Sequence, residues 1–405
     1  MTSPNEEVLT SKIRFIALFS HTILKMKFAF TIFKYFPYGG VQRDMLRIAN
    51  DCAKLGHKVT IYTGEWRGDK PVGNVQVHIL PSTGWLNHQR HQSLIANMQA
   101  ALKLAPVDFV VGFNRMAGLG AYYAADPCFI ARAYHEKSWF YRLGARFRFF
   151  RNCENAVFSR QSHCQILLLT TRDKAEFQHW YQTPEVRLHV LQPNIPADKF
   201  KNIDRTSARD YLLKQFSLPQ DAHVILTVGS AYIRKGVDRV VKAIAALPKT
   251  IRQNTWLLAV GEYESSSSFA KDAKRQGVAE RCIQAGGRAD VADLMLGADL
   301  LAHPARSELA GLVIIEAMTA GLPVLLTDVC GYASHVKTAG AGLVLESPYN
   351  QAQCNASLLT MLMTDNVSWK NAGLNYTNSI LEKSSPTAEA DLIIQFALEQ
   401  NTRSG

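Results

Sequence analysis

From residue 28 onward, short apolar runs alternate with stretches in which apolar residues recur every three or four positions. The runs at 28–33, 58–62, 76–80, 108–112 and 165–170 are predicted as buried strands, and the periodic segments 41–55, 93–104 and 172–181 as amphipathic helices. Gln192-Pro193-Asn194-Ile195-Pro196 then reads as a linker, because its two prolines continue neither element type. A second series follows, with strands at 223–228, 255–260 and near Cys282, and helices at 236–247, 269–277 and 291–296. Three further helical patterns, 351–363, 367–381 and 388–400, close the chain. Alternation of this kind predicts an α/β fold: two doubly wound domains, each a parallel sheet with helices on both faces, and a ligand cleft between them.

One stretch in the second series carries candidate chemistry. The apolar run 298–303 reads as a strand that stops at Pro304, after which a polar loop leads to Gly311. Gly311 opens a helical segment in which Val313, Ala317 and Ala320 can face a core, Gly321 ends it, and 323–327 is the next strand. Glu308 in the loop and Glu316 in the helix are eight residues apart, so both can reach the crevice beyond the strand's C-terminal end, where open α/β sheets bind ligands.

Two loops add groups suited to phosphate. Gly39 and Gly40, between the first strand and the first helix, let backbone amides approach a ligand at a helix N-terminus, although the segment is neither a Walker loop nor GxGxxG. Arg234 and Lys235 lie just before a helix and after small residues at a strand end, where a guanidinium can grip a diphosphate in bidentate fashion and an ammonium can act as a point charge. Gly286-Gly287-Arg288 forms a further strand-end loop.

The glutamate, seven residues, glutamate spacing of Glu308 and Glu316 resembles the motif of retaining glycosyltransferases of the family-4 type. The Gly39-Gly40 turn and the Arg234-Lys235-Gly236 element are similar to the same family's phosphate loops, and the matches extend over nearly the whole chain from Met26. The resemblance implies two facing Rossmann-like domains (the GT-B arrangement), with a C-terminal helix that crosses back to the first. The implied boundaries are an extension at 1–25, an acceptor-binding domain at 26–192, a nucleotide-sugar-binding domain at 193–385 and the returning helix at 386–405. It assigns Glu308 to the donor sugar, Glu316 to the nucleotide ribose, and Ala310, Gly311 and Leu312 to the donor as well. Many relatives carry a small residue and Phe where this chain has Leu309 and Ala310. Gly287 and Arg288 fall where the family holds its base, and Asp126 falls near a residue that orients reacting hydroxyls. Within the family the chain is most similar to the lipopolysaccharide-core glucosyltransferases that act on an inner-core heptose. UDP-glucose is then the donor substrate, configuration is retained, and neither cofactor nor metal is expected.

Charge narrows the partners. A formal charge of +11 over 405 residues points to an anionic ligand or surface. The segment 132–151 concentrates this charge: Arg132, Lys137, Arg142, Arg146, Arg148 and Arg151 are interleaved with Trp139, Phe140, Tyr141, Phe147, Phe149 and Phe150. Basic and aromatic residues together fit an anionic membrane surface, stacking on nucleic acid, or a helix that buries its aromatics and solvates its arginines. The family resemblance favours the membrane, with a lipopolysaccharide-core acceptor at the cytoplasmic face of the inner membrane and no nucleic acid. Seven cysteines without CxxC spacing read as free thiols, and His88 and His91 read as solvent-exposed. The apolar segment 13–24 is broken by Ser20 and His21 and is too short to span a bilayer, so 1–25 is read as an extension ahead of the body. The rival readings are another nucleotide-sugar transferase or epimerase on this fold, and a non-catalytic basic protein.

Overall fold

The computed structural model describes residues 25–404 except 38, 263–265 and 386; the apolar segment 13–24, and the extension up to residue 24, lie outside the described residues. The first domain runs β1 (Lys27–Tyr35), α1 (Gly40–Lys54), β2 (Lys58–Trp66), β3 (Val75–Ile79), α2 (Asn87–Leu104), β4 (Phe109–Gly112) and β5 (Ala121–Ala124). It continues with α3 (Phe129–Glu136), a 3-10 turn (Trp139–Leu143), α4 (Ala145–Phe158), β6 (Gln165–Leu168), α5 (Thr171–Tyr181) and β7 (Leu188–Val190). Its strands form a seven-stranded sheet in the order β3-β2-β1-β4-β5-β6-β7, with parallel pairing throughout.

The second domain begins with α6 (Arg205–Gln215), β8 (His223–Val228), α7 (Val237–Ala245), the single turn α8 (Lys249–Arg252), β9 (Thr255–Val260), α9 (Ser266–Arg275) and β10 (Cys282–Gly286). It proceeds through α10 (Val291–Gly297), β11 (Leu300–His303), α11 (Leu312–Thr319), β12 (Val324–Thr327), α12 (Ala333–Ala339), β13 (Gly342–Leu345), α13 (Gln351–Met363) and α14 (Val367–Lys383). The six strands are parallel in the order β10-β9-β8-β11-β12-β13. Val228 pairs with Val260, and Leu226 with Leu301, so the loops leaving β8, β9 and β11 emerge together at one edge.

Periodicity explains most of these elements. In α1, Met45, Ile48, Ala49 and Cys52 are buried at positions one helical turn apart, and Val237, Val240, Val241 and Ile244 do the same in α7. The helix α11 departs from the expected stripe: Val313, Ile314, Ile315, Ala317, Met318 and Thr319 are all buried, so it is a core helix apolar nearly all round. Gly311 stands at its N-cap with φ 89° rather than inside it.

Three regions correct the sequence reading. The stretch 129–158 is two helices joined by a 3-10 turn, and α2 begins at Asn87 instead of near 93. His88 is buried beside Phe149, and His91 is half-buried between Phe33 and Phe150, because both lie on the inner side of α2. The segment 205–215, for which no element was expected, is α6, capped by the Asp204 carboxylate accepting from Ser207 N–H at 2.8 Å.

After α14 the chain returns to the first domain as α15 (Ala388–Ser404). Ala390, Ile393, Phe396 and Ala397 enter the same buried cluster as Met45, Ile48 and Phe30. Arg47 donates to both oxygens of Glu389, at 3.1 and 2.7 Å, and so fastens α15 to α1.

Candidate active site

The loop between β8 and α7 is laced to the loop after β11. Arg306 N–H donates to the Arg234 carbonyl at 2.8 Å, and the Arg306 guanidinium grips Asp238 at 2.7 and 2.8 Å. Gly236, with φ 74°, passes so close to the Pro304 carbonyl that a Cβ would lie 1.9 Å from its oxygen, so only glycine permits this crossing. These constraints bring Arg234 and Lys235 onto Glu308. The Lys235 ammonium pairs with Glu308 Oε2, Arg234 Nη1 lies 3.5 Å from that oxygen, and His303 Nε2 lies 3.4 Å from it.

Electrostatics keep this carboxylate charged. Burial alone would raise the Glu308 carboxyl, but the His303 imidazole and the Lys235 ammonium outweigh it and hold the group at about 2. His303 is itself fully buried, and burial lowers its pKa, so it faces Glu308 as a neutral imidazole whose Nε2–H can donate. Sequence reasoning assigned His303 no role; its position at the last residue of β11, five before Glu308, was the available signal.

Glu316, on α11, faces the other domain. It accepts from Lys199 Nζ at 2.5 Å and lies 4.0 Å from Arg43 Nη1 of α1. Gly40, the first residue of α1, has room for a Cβ only 3.6 Å from Leu312 Cδ1, the first residue of α11. The first turns of these helices therefore meet across the cleft, and both present the positive ends of their dipoles there. Gly39 is the N-cap of α1 in extended backbone. Ala310 is buried in the second domain's core, with its carbonyl accepting from Tyr332 N–H at 2.9 Å. A second contact between domains lies at Gly331, where a Cβ would collide with the Leu309 carbonyl at 1.7 Å and with Thr170 at 2.5 Å.

The remaining predicted residues are placed less centrally. Gly287 follows β10 next to Glu262, but the Arg288 guanidinium is committed to Asp290, at 2.8 and 2.6 Å, and lies over the Phe216 ring. Asp126 is exposed two residues beyond β5, and its carbonyl accepts from Arg115 at 2.7 Å. Among the described residues, no three His, Cys, Asp or Glu side chains are grouped as metal ligands are.

The basic and aromatic segment divides between core and surface. Phe147 is buried, and Phe149 and Phe150 pack on His88 and His91, whereas Trp139, Phe140 and Leu143 are more than half exposed on the 3-10 turn. Trp139 and Phe140 stack at 3.7 Å, Arg142 lies over Tyr134, and Arg146 lies over Phe150. Arg132 is paired with Glu136 at 3.2 Å, while Lys137 and Arg148 are exposed. Among the described residues no helix is long and apolar enough to cross a membrane.

Comparison with known proteins matches each half of the chain to a family. Residues 38–199 fit the family Glycosyltransferase Family 4, and residues 209–373 fit Glycosyl transferases group 1. The lipopolysaccharide glucosyltransferase WaaG of Escherichia coli K12 is 39% identical over 367 residues, which cover 90% of this chain and 98% of that protein. A D-inositol 3-phosphate glycosyltransferase of Catenulispora acidiphila is 29% identical over 48% of each chain. The crystal structure of WaaG superposes with a TM-score of 0.85 over 90% of this chain and 99% of that one. Anabaena Alr3699/HepE in complex with UDP-glucose shares the fold, with a TM-score of 0.69 at 16% identity over 93% of this chain and 100% of that one.

Proposed function

The chain belongs to the family-4 type of glycosyltransferases that includes lipopolysaccharide glucosyltransferase WaaG, and on that premise we propose that it transfers glucose from UDP-glucose to a heptose of the lipopolysaccharide inner core. The observation that carries this reading is the convergence of Lys235, Arg234 and His303 on Glu308 at the head of α11, opposite the N-terminus of α1.

In the reaction, the bond from the sugar C1 to the diphosphate breaks and its electron pair leaves on the phosphate oxygen. The acceptor hydroxyl oxygen bonds to C1 from the same face through an oxocarbenium-like state, and its proton passes to the departing diphosphate, so configuration is retained. Charge grows on the leaving group as the bond breaks. Lys235, Arg234 and the amides at the start of α1 supply the compensating positive charge without a metal ion. Glu308, kept ionised, positions Lys235 and contacts the donor sugar, and Glu316 exchanges its Lys199 and Arg43 partners for ribose hydroxyls. Asp126 orients the acceptor.

Incubating the protein with a panel of UDP-sugars and heptose-terminated core lipopolysaccharide, with chelator present, tests this. Glucose transfer with retained configuration is the expected result. Transfer of a different sugar, inversion, or activity abolished by the chelator would each overturn the corresponding part.

An amphiphilic acceptor also requires the enzyme to meet a membrane, and the exposed Trp139, Phe140 and Leu143 beside Arg142, Arg146 and Arg148 are suited to the anionic cytoplasmic face of the inner membrane. Vesicles with anionic lipid should be bound more tightly than neutral ones, and added salt should weaken the binding, since such charges are screened over about 8 Å at physiological ionic strength. Unchanged binding by a folded variant with Arg142, Arg146 and Arg148 all replaced by Glu would remove this surface from the account.

A further inference from the structure

A recess of about 170 Å³ opens in the first domain at the C-terminal ends of β1 and β2, closed on its far side by α2. Lys34, Glu65, Ser82, Asn87, Arg90 and His91 line it. It is next to the cleft: the Lys34 carbonyl accepts from Gln42 Nε2 at 3.2 Å, and Gln42 sits in the first turn of α1 beside Arg43, which faces Glu316. Gly64, on its wall, lets α2 pack closely on the sheet: a Cβ there would come within 2.8 Å of Leu94 and 3.2 Å of the Phe33 carbonyl.

The charge of the recess is unbalanced. Glu65 is shared between Lys34 at 3.1 Å and Arg67 at 2.6 Å, and these two hydrogen-bonding cations lower its pKa. Arg90 adds a third cation; its Nε–H donates to the Gly84 carbonyl at 2.9 Å, and no carboxylate pairs with it among the described residues. Burial lowers the pKa of His91, the charges of Arg146 and Lys34 lower it further, and its buried Nδ1 has no hydrogen-bond partner among the described residues. Cations and uncharged donors therefore surround a cavity of saccharide size, with one carboxylate already spoken for.

We propose that this recess is an acceptor subsite that reads an acid group, either a carboxylate or a phosphate, on a sugar neighbouring the one glucosylated. Lys34 and Arg90 hold the anionic oxygens by charge-assisted hydrogen bonds, while Ser82 and Asn87 serve the sugar hydroxyls. A neutral saccharide leaves the surplus charge unmatched, so the subsite selects for acidic acceptors. This assignment rests on the glucosyltransferase reading, because the recess is treated as continuous with the transfer site.

The test uses three heptose oligosaccharides that differ only in the neighbouring sugar: one neutral, one with a carboxylate and one with a phosphate. Each is titrated directly against the full chain and separately assayed for glucosyl transfer. Binding of an acidic oligosaccharide should be about ten-fold tighter than of the neutral one, the lower end of what one hydrogen bond to a charged group contributes. Arg90→Gln and Lys34→Gln should each remove most of that preference while leaving the neutral Kd and UDP binding unchanged; intact UDP binding also certifies the fold. Preference for the carboxylate alone identifies a sugar acid as the source, preference for the phosphate alone identifies a phosphoryl group, and equal preference shows that charge is what is read. Equal Kd for all three in the unmodified protein, or an equal weakening of acidic and neutral ligands in the variants, would overturn the subsite. Acid-selective binding without glucosyl transfer keeps the subsite and removes the reading beneath it. Transfer without acid selectivity does the reverse.

Discussion

Replacing Lys235 by alanine is expected to lower kcat by about 10²- to 10³-fold, or about 3 to 4 kcal/mol, the scale of losing one preorganised group at a developing charge. Lys235 is held for this role. Its stem passes Gly229, where a Cβ would lie 3.1 Å from Lys235 Cε, and its ammonium is fixed on Glu308. A group already aimed and partly desolvated contributes most when charge appears on the leaving diphosphate, so UDP affinity should change much less than turnover. Glu316→Ala is the contrasting variant: its contact to ribose changes little during reaction, so nucleotide affinity should fall more than kcat. It also removes the partner of Lys199 and Arg43, and with it one tie between the domains. Steady-state transfer and direct UDP titration of both variants separate the two effects. Near-normal turnover of Lys235→Ala would end the leaving-group role given to the pair.

Glu154→Ala is expected to destabilise the protein by about 3 to 5 kcal/mol, because it strands a buried cation. The Glu154 carboxylate is fully buried and pairs with Arg115 at 2.8 Å. It also accepts from the backbone N–H groups of Phe129 and Ile130, at 2.7 and 2.9 Å, and from the Tyr181 hydroxyl at 2.6 Å. One side chain of α4 thus satisfies the first-turn donors of α3, anchors α5 and neutralises the loop that follows β4. Glu154→Gln keeps an acceptor but not the charge, so its loss should be smaller. Urea denaturation midpoints at neutral pH measure both, and a loss under about 1 kcal/mol for the alanine variant would contradict the account.

How much of this was legible in the sequence follows from the range of the interactions. The strands β8, β9, β11 and β12, and β1 over 28–32, are short apolar runs buried on both faces, and such runs announce themselves locally. The three-residue β7 is too short to show a pattern, and β5, Ala-Tyr-Tyr-Ala, has no Val, Ile or Leu to mark it as a buried run. In 129–158, arginine density masked the helices, because buried Phe147, Val157 and Phe158 share their segment with six exposed or half-buried cations. At the site, Arg234, Lys235 and Glu308 were visible because each lies at a strand end beside punctuating glycines. The partners of Glu316 were not, since Arg43 reaches it only once two domains face each other, and Lys199 only once the turn ahead of α6 packs back on the second domain. The Glu154 knot was hidden for the same reason: its partners are distant in sequence and individually ordinary.

The return of α15 to the first domain has a consequence for how the chain is made. Domains fold in the order in which they leave the ribosome, at about 5 to 20 residues per second, so the segment between Val190 and Ala388 takes on the order of ten seconds or more to synthesise. Throughout that interval the first sheet is present, but Met45 and Ile48 lack the cover that Ile393 and Phe396 later provide. The first domain to be translated is thus the last to be finished, and a nascent chain halted before Phe396 holds two formed sheets with one core still open to water and to neighbouring chains.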